Sequence, residues 1–248
     1  MIIGVCGKGG VGKTTTTALI LKYLLQTDRT PILLVDADPN SNLGEVLGRE
    51  PEGDVGTICD DLLEETKKNP STLSKPDLLD MALADILVEE RGYDLLAMGR
   101  PEGPGCYCYP NQVLKTILQT ISANYPIVLV DNEAGLEHFS RRLLGKMDVM
   151  IMVSDSGPRS LRTAARLQRL AGELKIEVRK NFLLVNRAEE GFDPIVPPEG
   201  MDISAYLPRD PLIAEFDRRE ESLLNLPDDS SAWQAVSAFC EQNLAGLF

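Results

Sequence analysis

Short runs of apolar residues alternate along the chain with longer segments of helical period. The runs that predict strands are Met1–Cys6, Pro31–Val35, Tyr93–Met98, Ile127–Val130, Val149–Val153 and Phe182–Val185. Uninterrupted apolar strands that alternate with helices are typical of a parallel sheet covered on both faces. The pattern therefore predicts an α/β fold with a doubly wound, mostly parallel sheet, formed by residues 1–248 as one domain.

The predicted helices lie between these strands. One helix should begin at Lys13, and further helices are predicted at Ile58–Glu64, Leu78–Val88, Pro110–Ser122, Arg159–Leu174 and Ser230–Phe248. A short helix is also expected at Leu43–Leu47, with Asn40 or Ser41 as its N-cap. Residues 50–75 are rich in charged residues, Pro and Ser, and predict mainly loops.

Residues 6–15, Cys-Gly-Lys-Gly-Gly-Val-Gly-Lys-Thr-Thr, join the first strand to the first helix. Gly7-x-x-x-x-Gly12-Lys13-Thr14 at such a junction is the phosphate-binding loop (P-loop) pattern. Glycines leave the backbone N–H groups open to phosphate, and the helix N-terminus adds a partial positive charge. Lys13 can bind the outer phosphates and the Thr14 hydroxyl can bind Mg²⁺. We therefore expect ATP or ADP to be held by Gly9, Gly10, Val11, Gly12, Lys13, Thr14 and Thr15.

Lys8 is a second lysine in the same loop, where an ordinary P-loop needs only the lysine at position 13. The segment from Lys8 to Thr14 resembles that of the deviant Walker A ATPases, which include the MinD, ParA, arsenite-ATPase and nitrogenase iron-protein families. The resemblance implies ATP hydrolysis in a nucleotide-dependent homodimer, in which Lys8 contacts the ATP of the partner subunit. A solvated lysine that only raises the local potential is the alternative.

Acidic residues follow two of the predicted strands. Asp36 and Asp38 come directly after Pro31–Val35, and Asp131 comes after Ile127–Val130. Because ligands of parallel sheets bind at the carboxyl ends of the strands, these residues should lie near the P-loop. Asp38 is the candidate for orienting or deprotonating the attacking water, and Asp131 for a water-mediated contact with Mg²⁺. The two segments resemble the first and second switches of the same ATPase group.

The adenine contacts are predicted at the ends of later segments. Asn186 follows Phe182–Val185, and its amide offers the donor and the acceptor that base selection requires. In the deviant Walker A group an Asn at this strand end reads the adenine edge, which implies contacts from Asn186 and Arg187. The segment Ile203–Pro208 leads to Arg209-Asp210, where the group packs a loop against adenine, so Pro208 is a further expected contact.

Cys106 and Cys108 stand one residue apart in a Pro- and Gly-rich segment that precedes a predicted helix. A helix N-terminus lowers the pKa of nearby thiols and so favours the thiolate, which is the metal-binding form. Two sulfurs do not complete a tetrahedral site, but two copies of the segment on a two-fold axis would supply four. The prediction is a metal site between two chains, with incidental thiols or a disulfide as alternatives. His138, the single histidine, could bind metal, lie near the dimer interface or be structural.

Composition restricts the functional classes. The net charge of −13 argues against non-specific DNA binding, and the arginines at positions 159, 162, 166 and 169 are first interpreted as a solvated helix face. No apolar run approaches the length of a membrane span, and the N-terminus does not resemble a signal peptide, so a cytoplasmic protein is expected. Five cysteines do not suggest a disulfide framework, and Cys6 and Cys240 should be buried.

Three branches of the ATPase group fit these features poorly. ParA-like DNA partitioning predicts a basic face, which the net charge disfavours. MinD-like membrane binding predicts a basic C-terminal helix, but Ser230–Phe248 contains no Lys or Arg. A cluster of the nitrogenase iron-protein kind needs a cysteine shortly after Asp131, and none occurs up to Arg141. Neither nucleic acid nor membrane is therefore expected as a partner.

A fourth branch accounts for the cysteine pair. Gly105–Cys108, Asn111 and Asp131–His138 together resemble the CooC-type accessory ATPases of nickel insertion into carbon monoxide dehydrogenase. The resemblance implies an ATP-hydrolysing nickel chaperone whose client is a carbon monoxide dehydrogenase or an acetyl-CoA synthase. The alternative is a MinD/ParA-like ATPase that binds a protein under nucleotide control and has no metal role.

Overall fold

The structure is a computed structural model, and it describes residues 1–49, 51, 53–58, 83, 85–99, 108–133, 146–188 and 195–248, with backbone only for 108–114. Cys106, His138 and the predicted helical residues 59–64 and 78–82 lie outside the described residues.

Eight strands of the described residues form one sheet. They are β1 (Ile2–Gly7), β2 (Ile32–Ala37), β3 (Val88–Glu90), β4 (Tyr93–Ala97), β5 (Ile127–Asn132), β6 (Lys146–Ser154), β7 (Glu177–Ala188) and β8 (Ile203–Pro208). Their spatial order is β3-β4-β2-β5-β1-β6-β7-β8. Only the edge pair β3–β4 is antiparallel, and every other pairing is parallel. The predicted fold class is confirmed.

Six α-helices accompany the strands in the described part of the chain. They are α1 (Lys13–Gln26), α2 (Asn42–Val46), α3 (Cys108–Ile121), α4 (Pro158–Glu173), α5 (Pro211–Arg218) and α6 (Ser231–Asn243). Residues 55–58 form a further helical turn. Three short 3₁₀ segments are Ser122–Asn124, Leu223–Asn225 and Ala245–Leu247.

The core has one layer on each face of the sheet, because successive side chains of a strand point to opposite faces. In β2, Leu34 packs into the cluster that holds α1 and α6, whereas Leu33 packs with α3. A third cluster joins α4 to the opposite face of β1, β6 and β7 and includes Cys6. Cys6 and Cys240 are fully buried, as predicted. These layers leave the carboxyl ends of the parallel strands at one edge, where the loops carry the candidate site.

Several element boundaries differ from the sequence pattern. The predicted helix Leu78–Val88 is wrong at its end, because Val88 begins β3 and a two-residue turn at Arg91 and Gly92 pairs it with β4. A three-residue strand with two glutamates has too little apolar periodicity to be recognised. Both β6 and β7 begin several residues before their apolar runs, where polar side chains share the strand. The pattern also assigns no element to β8 or α5.

Candidate nucleotide-binding site

Parallel register brings the predicted acidic residues together. Asp36 of β2 lies directly beside Asp131 of β5, and Asp131 lies beside Val5 of β1. The P-loop leaves β1 two residues after Val5 and enters α1 at Lys13. The P-loop and the two strand-end aspartates therefore share one edge of the sheet.

Glycines shape the P-loop at two close approaches. Gly12 has φ +94°, and a Cβ there would overlap the side-chain nitrogen of Asn186. At Gly7 a Cβ would overlap the carbonyl oxygen of Val153 in β6. Gly12 is also the N-cap of α1 and has no side chain to cap the helix, so the first N–H groups of α1 remain available to an anion.

The two lysines of the P-loop differ in environment. Lys13 is buried and lies close enough to Asp131 to affect its pKa, whereas Lys8 is exposed together with Gly9 and Gly10. Thr17 links the helix to the strand end, since its hydroxyl donates to Lys13 O at 3.0 Å and lies 3.3 Å from Asp131 Oδ1. A buried lysine can contact only a ligand inside the loop, and an exposed one is free to contact a second molecule.

Burial governs the electrostatics of the paired aspartates, each of which is 1% exposed. Burial and the neighbouring Asp131 charge raise the pKa of Asp36 to about 7, although N–H donors from Leu43 and Asp38 oppose the shift. Burial also raises the pKa of Asp131 to about 6, against hydrogen bonds from Thr14 and Thr17 and the charge of Lys13. Two adjacent buried carboxyls repel each other when both are ionised. The pair therefore favours a proton on one carboxyl, or a cation bound between the carboxyls and the phosphates.

The oxygen donors at this edge fit Mg²⁺. Mg²⁺ is a hard cation that prefers oxygen and is held in nucleotide sites by one or two protein ligands, with phosphate oxygens and water completing the octahedron. The Thr14 hydroxyl and the Asp131 carboxylate meet this requirement because each supplies oxygen and they lie within hydrogen-bonding reach of one another. No nitrogen or sulfur ligand is needed.

Asp36 caps the segment that follows β2. Its Oδ2 accepts from Leu43 N and its Oδ1 from Asp38 N, at 2.9 and 3.0 Å. Ser41 is the N-cap residue of α2, as one of the two predicted alternatives, but its side chain makes no capping bond and accepts from Gly99 N. Asn40 donates to Asp38 Oδ1. Asp38, the predicted residue for the attacking water, is half-buried beside this cap.

The predicted adenine contacts lie together at the ends of β7 and β8. Asn186 Nδ2 donates to Val11 O at 2.8 Å, and Arg187 follows with a positive φ of 54°. Pro208 pairs in register with Ala188 across the two strands. Asp210 has a different environment, since it caps α5 through Leu212 N and accepts from Ser230 and Ala232 at the start of α6.

The segment that follows β5 is described only as far as Glu133. The Asn132 amide donates to Val5 O at 2.8 Å and so ties the end of β5 to β1. Cys108 is the first residue of α3, with no side chain described. No group of three or more His, Cys, Asp and Glu side chains suited to a metal ion occurs among the described residues. Within the same ranges, no helix combines the length and apolarity that crossing a membrane requires.

The sequence pattern places Asp36 near the P-loop but assigns no role to it or to Asn132. Both are polar residues at the ends of adjacent apolar strands, which is the signal that could have identified them. The sequence does not show the register of β2 and β5, which pairs Asp36 with Asp131 and Ala37 with Asn132.

The sheet order, the P-loop and the paired strand-end aspartates define an ATP-binding protein of the P-loop class. A family profile described as an AAA domain matches residues 1–184, and the chain belongs to this family of ParA/MinD-like ATPases. The chain is 42% identical over 248 residues to an uncharacterized ATP-binding protein of Methanocaldococcus jannaschii, with 98% of each chain covered. It is 33% identical over 188 residues to the carbon monoxide dehydrogenase accessory protein CooC of Rhodospirillum rubrum, with 71% of each covered. A ParA family ATPase from Chlorobium tepidum has the same fold, with a TM-score of 0.73, 22% identity and 97% coverage of both chains.

Proposed function

We propose that this protein is a cytoplasmic ATP-hydrolysing metallochaperone that dimerises with nucleotide and delivers nickel to a carbon monoxide dehydrogenase or acetyl-CoA synthase. The observation that carries the proposal is the similarity to the CooC accessory protein, taken together with Cys106 and Cys108 in this sequence. The P-loop and the paired aspartates support the ATPase half of the proposal. The cysteine pair supports the nickel half.

Nucleotide binding rests on the P-loop. Its N–H groups from Gly9 to Thr15 and the buried Lys13 bind the phosphates, and the open N-terminus of α1 adds its partial positive charge. Mg²⁺ would be held by the Thr14 hydroxyl and, through a water molecule, by Asp131, and it would neutralise phosphate charge. Asn186, Arg187 and Pro208 contact the adenine.

Asp38 orients or deprotonates the attacking water. Its carboxylate stands two residues after Asp36, whose hydrogen bonds to Asp38 N and Leu43 N fix the backbone of this segment. Fixing the backbone matters because the catalytic oxygen must be within hydrogen-bond reach of the water.

Dimerisation places Lys8 on the phosphates of the partner subunit. Lys8 is exposed on the P-loop while Lys13 is buried, so the two lysines of one loop can serve two nucleotides. Closing two chains around ATP brings two copies of the segment with Cys106 and Cys108 into one site. Four thiolates there hold one nickel ion as cargo, and zinc can occupy the same sulfur ligands. Hydrolysis opens the dimer and lowers the affinity for the cargo, because a switch needs different affinities in its two states.

The decisive experiment measures bound metal and molar mass on the same samples. Wild type, the double variant Cys106→Ser/Cys108→Ser and the control Cys59→Ser are each loaded with nickel or zinc, with no nucleotide, ADP or ATP. We expect about one metal ion per two chains in wild type and Cys59→Ser, only in a two-chain species, and almost none in the double variant. Equal metal in all three proteins, or metal bound to single chains, would contradict the chaperone role.

The same experiment separates the second candidate. The fold is also that of a ParA family ATPase, so a nucleotide-controlled protein-binding ATPase without metal is the alternative. ATP-dependent dimerisation that is identical in wild type and in the double variant, with no bound nickel or zinc in either, would favour it.

A further inference from the structure

Helix α4 carries a stripe of four arginines along its exposed side. Arg159, Arg162, Arg166 and Arg169 follow one another at intervals of three or four residues, and all four side chains are exposed. At 1.5 Å per residue the stripe is about 15 Å long. In the part of the chain that the structure describes, none of the four has an ion-pair partner. We call this surface the arginine stripe.

The opposite side of the same helix is fixed to the sheet. Leu161, Ala164, Leu167 and Ala171 are buried against β1, β6 and β7. The helix begins at Pro158, four residues after the end of β6, at the edge that carries the P-loop. The arginine stripe is therefore presented on a rigid support whose first turn lies on the nucleotide side of the molecule.

Helix stability does not account for the stripe. Cations are unfavourable near a helix N-terminus, yet Arg159 and Arg162 lie in the first turns and α4 has no acidic residue in its first turn. The only acidic residue of α4, Glu173, stands at the C-terminus, where an anion is also unfavourable. Arg162 and Arg166 form a like-charge i,i+4 pair, which destabilises a helix. The charges at the two ends of α4 are therefore the reverse of those that stabilise a helix.

The stripe also contrasts with the charge of the whole chain. Residues 146–180 contain eight basic and four acidic residues, a net charge of +4, in a chain of net charge −13. The Debye length at physiological salt is about 8 Å, so a ligand as small as the stripe experiences mainly its local positive field. A long nucleic acid duplex would extend beyond the stripe over the rest of a chain whose net charge is −13. Guanidinium groups at fixed intervals suit carboxylates, which they bind in bidentate geometry.

We propose that the arginine stripe of α4 is a docking surface for an acidic helix of a partner protein, with carboxylates spaced at three- and four-residue intervals. The proposal is independent of nickel and of the identity of the client enzyme. A partner bound there would contact the exposed side of α4, whose opposite side packs against β1 and β6.

The test uses labelled helix-forming peptides of about 18 residues and the full-length protein. The matched peptide carries Glu at positions i, i+3, i+7 and i+10, a scrambled peptide has the same composition, and a third has Gln for Glu. The stripe variant is Arg162→Gln/Arg166→Gln. Its control is Arg91→Gln/Arg218→Gln, which removes the same charge from two exposed arginines elsewhere.

We expect the matched peptide to bind wild type about fivefold tighter than the scrambled peptide, and binding to weaken strongly between about 50 and 200 mM salt. The stripe variant should lose about tenfold in affinity for the matched peptide and the control less than about twofold, while the stripe variant keeps or gains thermal stability. Equal binding of matched and scrambled peptides, or no loss in the stripe variant, would overturn the proposal. Tighter, stripe-dependent binding of a duplex of about 20 base pairs would assign the surface to nucleic acid instead.

Discussion

The side-chain nitrogen of Asn186 donates to the carbonyl oxygen of Val11 at 2.8 Å, which fixes the end of β7 to the P-loop. The same nitrogen occupies the space that a Cβ at Gly12 would need. The left-handed turn at Gly12 and the position of Asn186 therefore depend on one another. A bond between residues 175 positions apart in sequence, Val11 and Asn186, therefore helps to set the shape of the phosphate site.

Gly12→Ala should cost the ligand-free protein about 2–3 kcal/mol of unfolding free energy. About 1–2 kcal/mol comes from an alanine at positive φ, and the rest from the lost Asn186–Val11 hydrogen bond. Gly10→Ala is the control, because Gly10 also has a positive φ of 77° but no heavy atom lies near its Cβ position. It should cost only the conformational part. Urea unfolding measures the free energy of unfolding of both variants. Equal losses in the two would contradict the overlap between a Cβ at position 12 and the Asn186 side chain.

A double-mutant cycle tests directly whether Gly12 and Asn186 depend on one another for their effects on stability. In wild type, Asn186→Ala removes the hydrogen bond to Val11 and should destabilise the protein. In the Gly12→Ala background that bond is already disrupted, so the second substitution should cost about 0.5–1 kcal/mol less. Strictly additive free energies of unfolding would show that the two positions act independently.

Lys8→Ala should leave ATP binding within about twofold of wild type and reduce hydrolysis at least tenfold, because the role proposed for the lysine is to contact the partner's phosphates in the transition state. Lys13→Ala should instead abolish binding, since Lys13 is the buried lysine of the loop. Lys180→Ala, an exposed lysine on β7, controls for loss of surface charge. The measurements are nucleotide titration and steady-state phosphate release. Unchanged turnover in Lys8→Ala would rule out its role across the dimer.

The site was partly predictable because some of its determinants are local. The spacing of Gly7, Gly12 and Lys13 defines the loop wherever it occurs after a strand, and the apolar run before Asp131 marks a strand end. The facing of Asp36 and Asp131 depends on which strands become neighbours, and β2 meets β5 only because the sheet order is not the chain order. The Asn186–Val11 bond likewise depends on packing between elements far apart in sequence. Local pattern predicts the elements, and long-range register determines which polar groups meet.

Stability of the ligand-free protein should decrease as the pH rises from about 4 to about 7. The pKa values of Asp36 and Asp131 are raised in the folded state, to about 7 and about 6, so the folded protein binds protons that the unfolded chain has released. That contribution is complete below the unfolded pKa and is lost as the pH rises to the folded values, at about 1.4 kcal/mol per pH unit for each carboxyl that only the folded state holds protonated. Asp148 and Asp210, whose pKa values are lowered, affect stability only at more acidic pH.

Urea unfolding across that pH range measures the slope. Asp131→Asn should flatten it, because the substitution removes one titrating group and the charge that raises the pKa of Asp36, while an oxygen remains to accept from Thr17. Mg²⁺ with ADP should also flatten it by stabilising the ionised carboxylates. Stability that rises with pH, or the same slope in Asp131→Asn, would contradict this account of the paired aspartates.

Asp210→Ala should destabilise the protein by about 2–4 kcal/mol. The Asp210 carboxylate is buried and accepts from Ser230 Oγ at 2.6 Å, Leu212 N at 2.9 Å and Ala232 N at 3.1 Å, so it joins the starts of α5 and α6. These hydrogen bonds hold its pKa below the ordinary value despite burial. Removing the carboxylate leaves two helix starts and a buried hydroxyl without their acceptor. Asp217→Ala, an exposed aspartate of α5, is the control and should change stability by less than about 0.5 kcal/mol. A loss in Asp210→Ala no larger than in Asp217→Ala, measured by urea unfolding, would mean that water replaces the carboxylate at no cost.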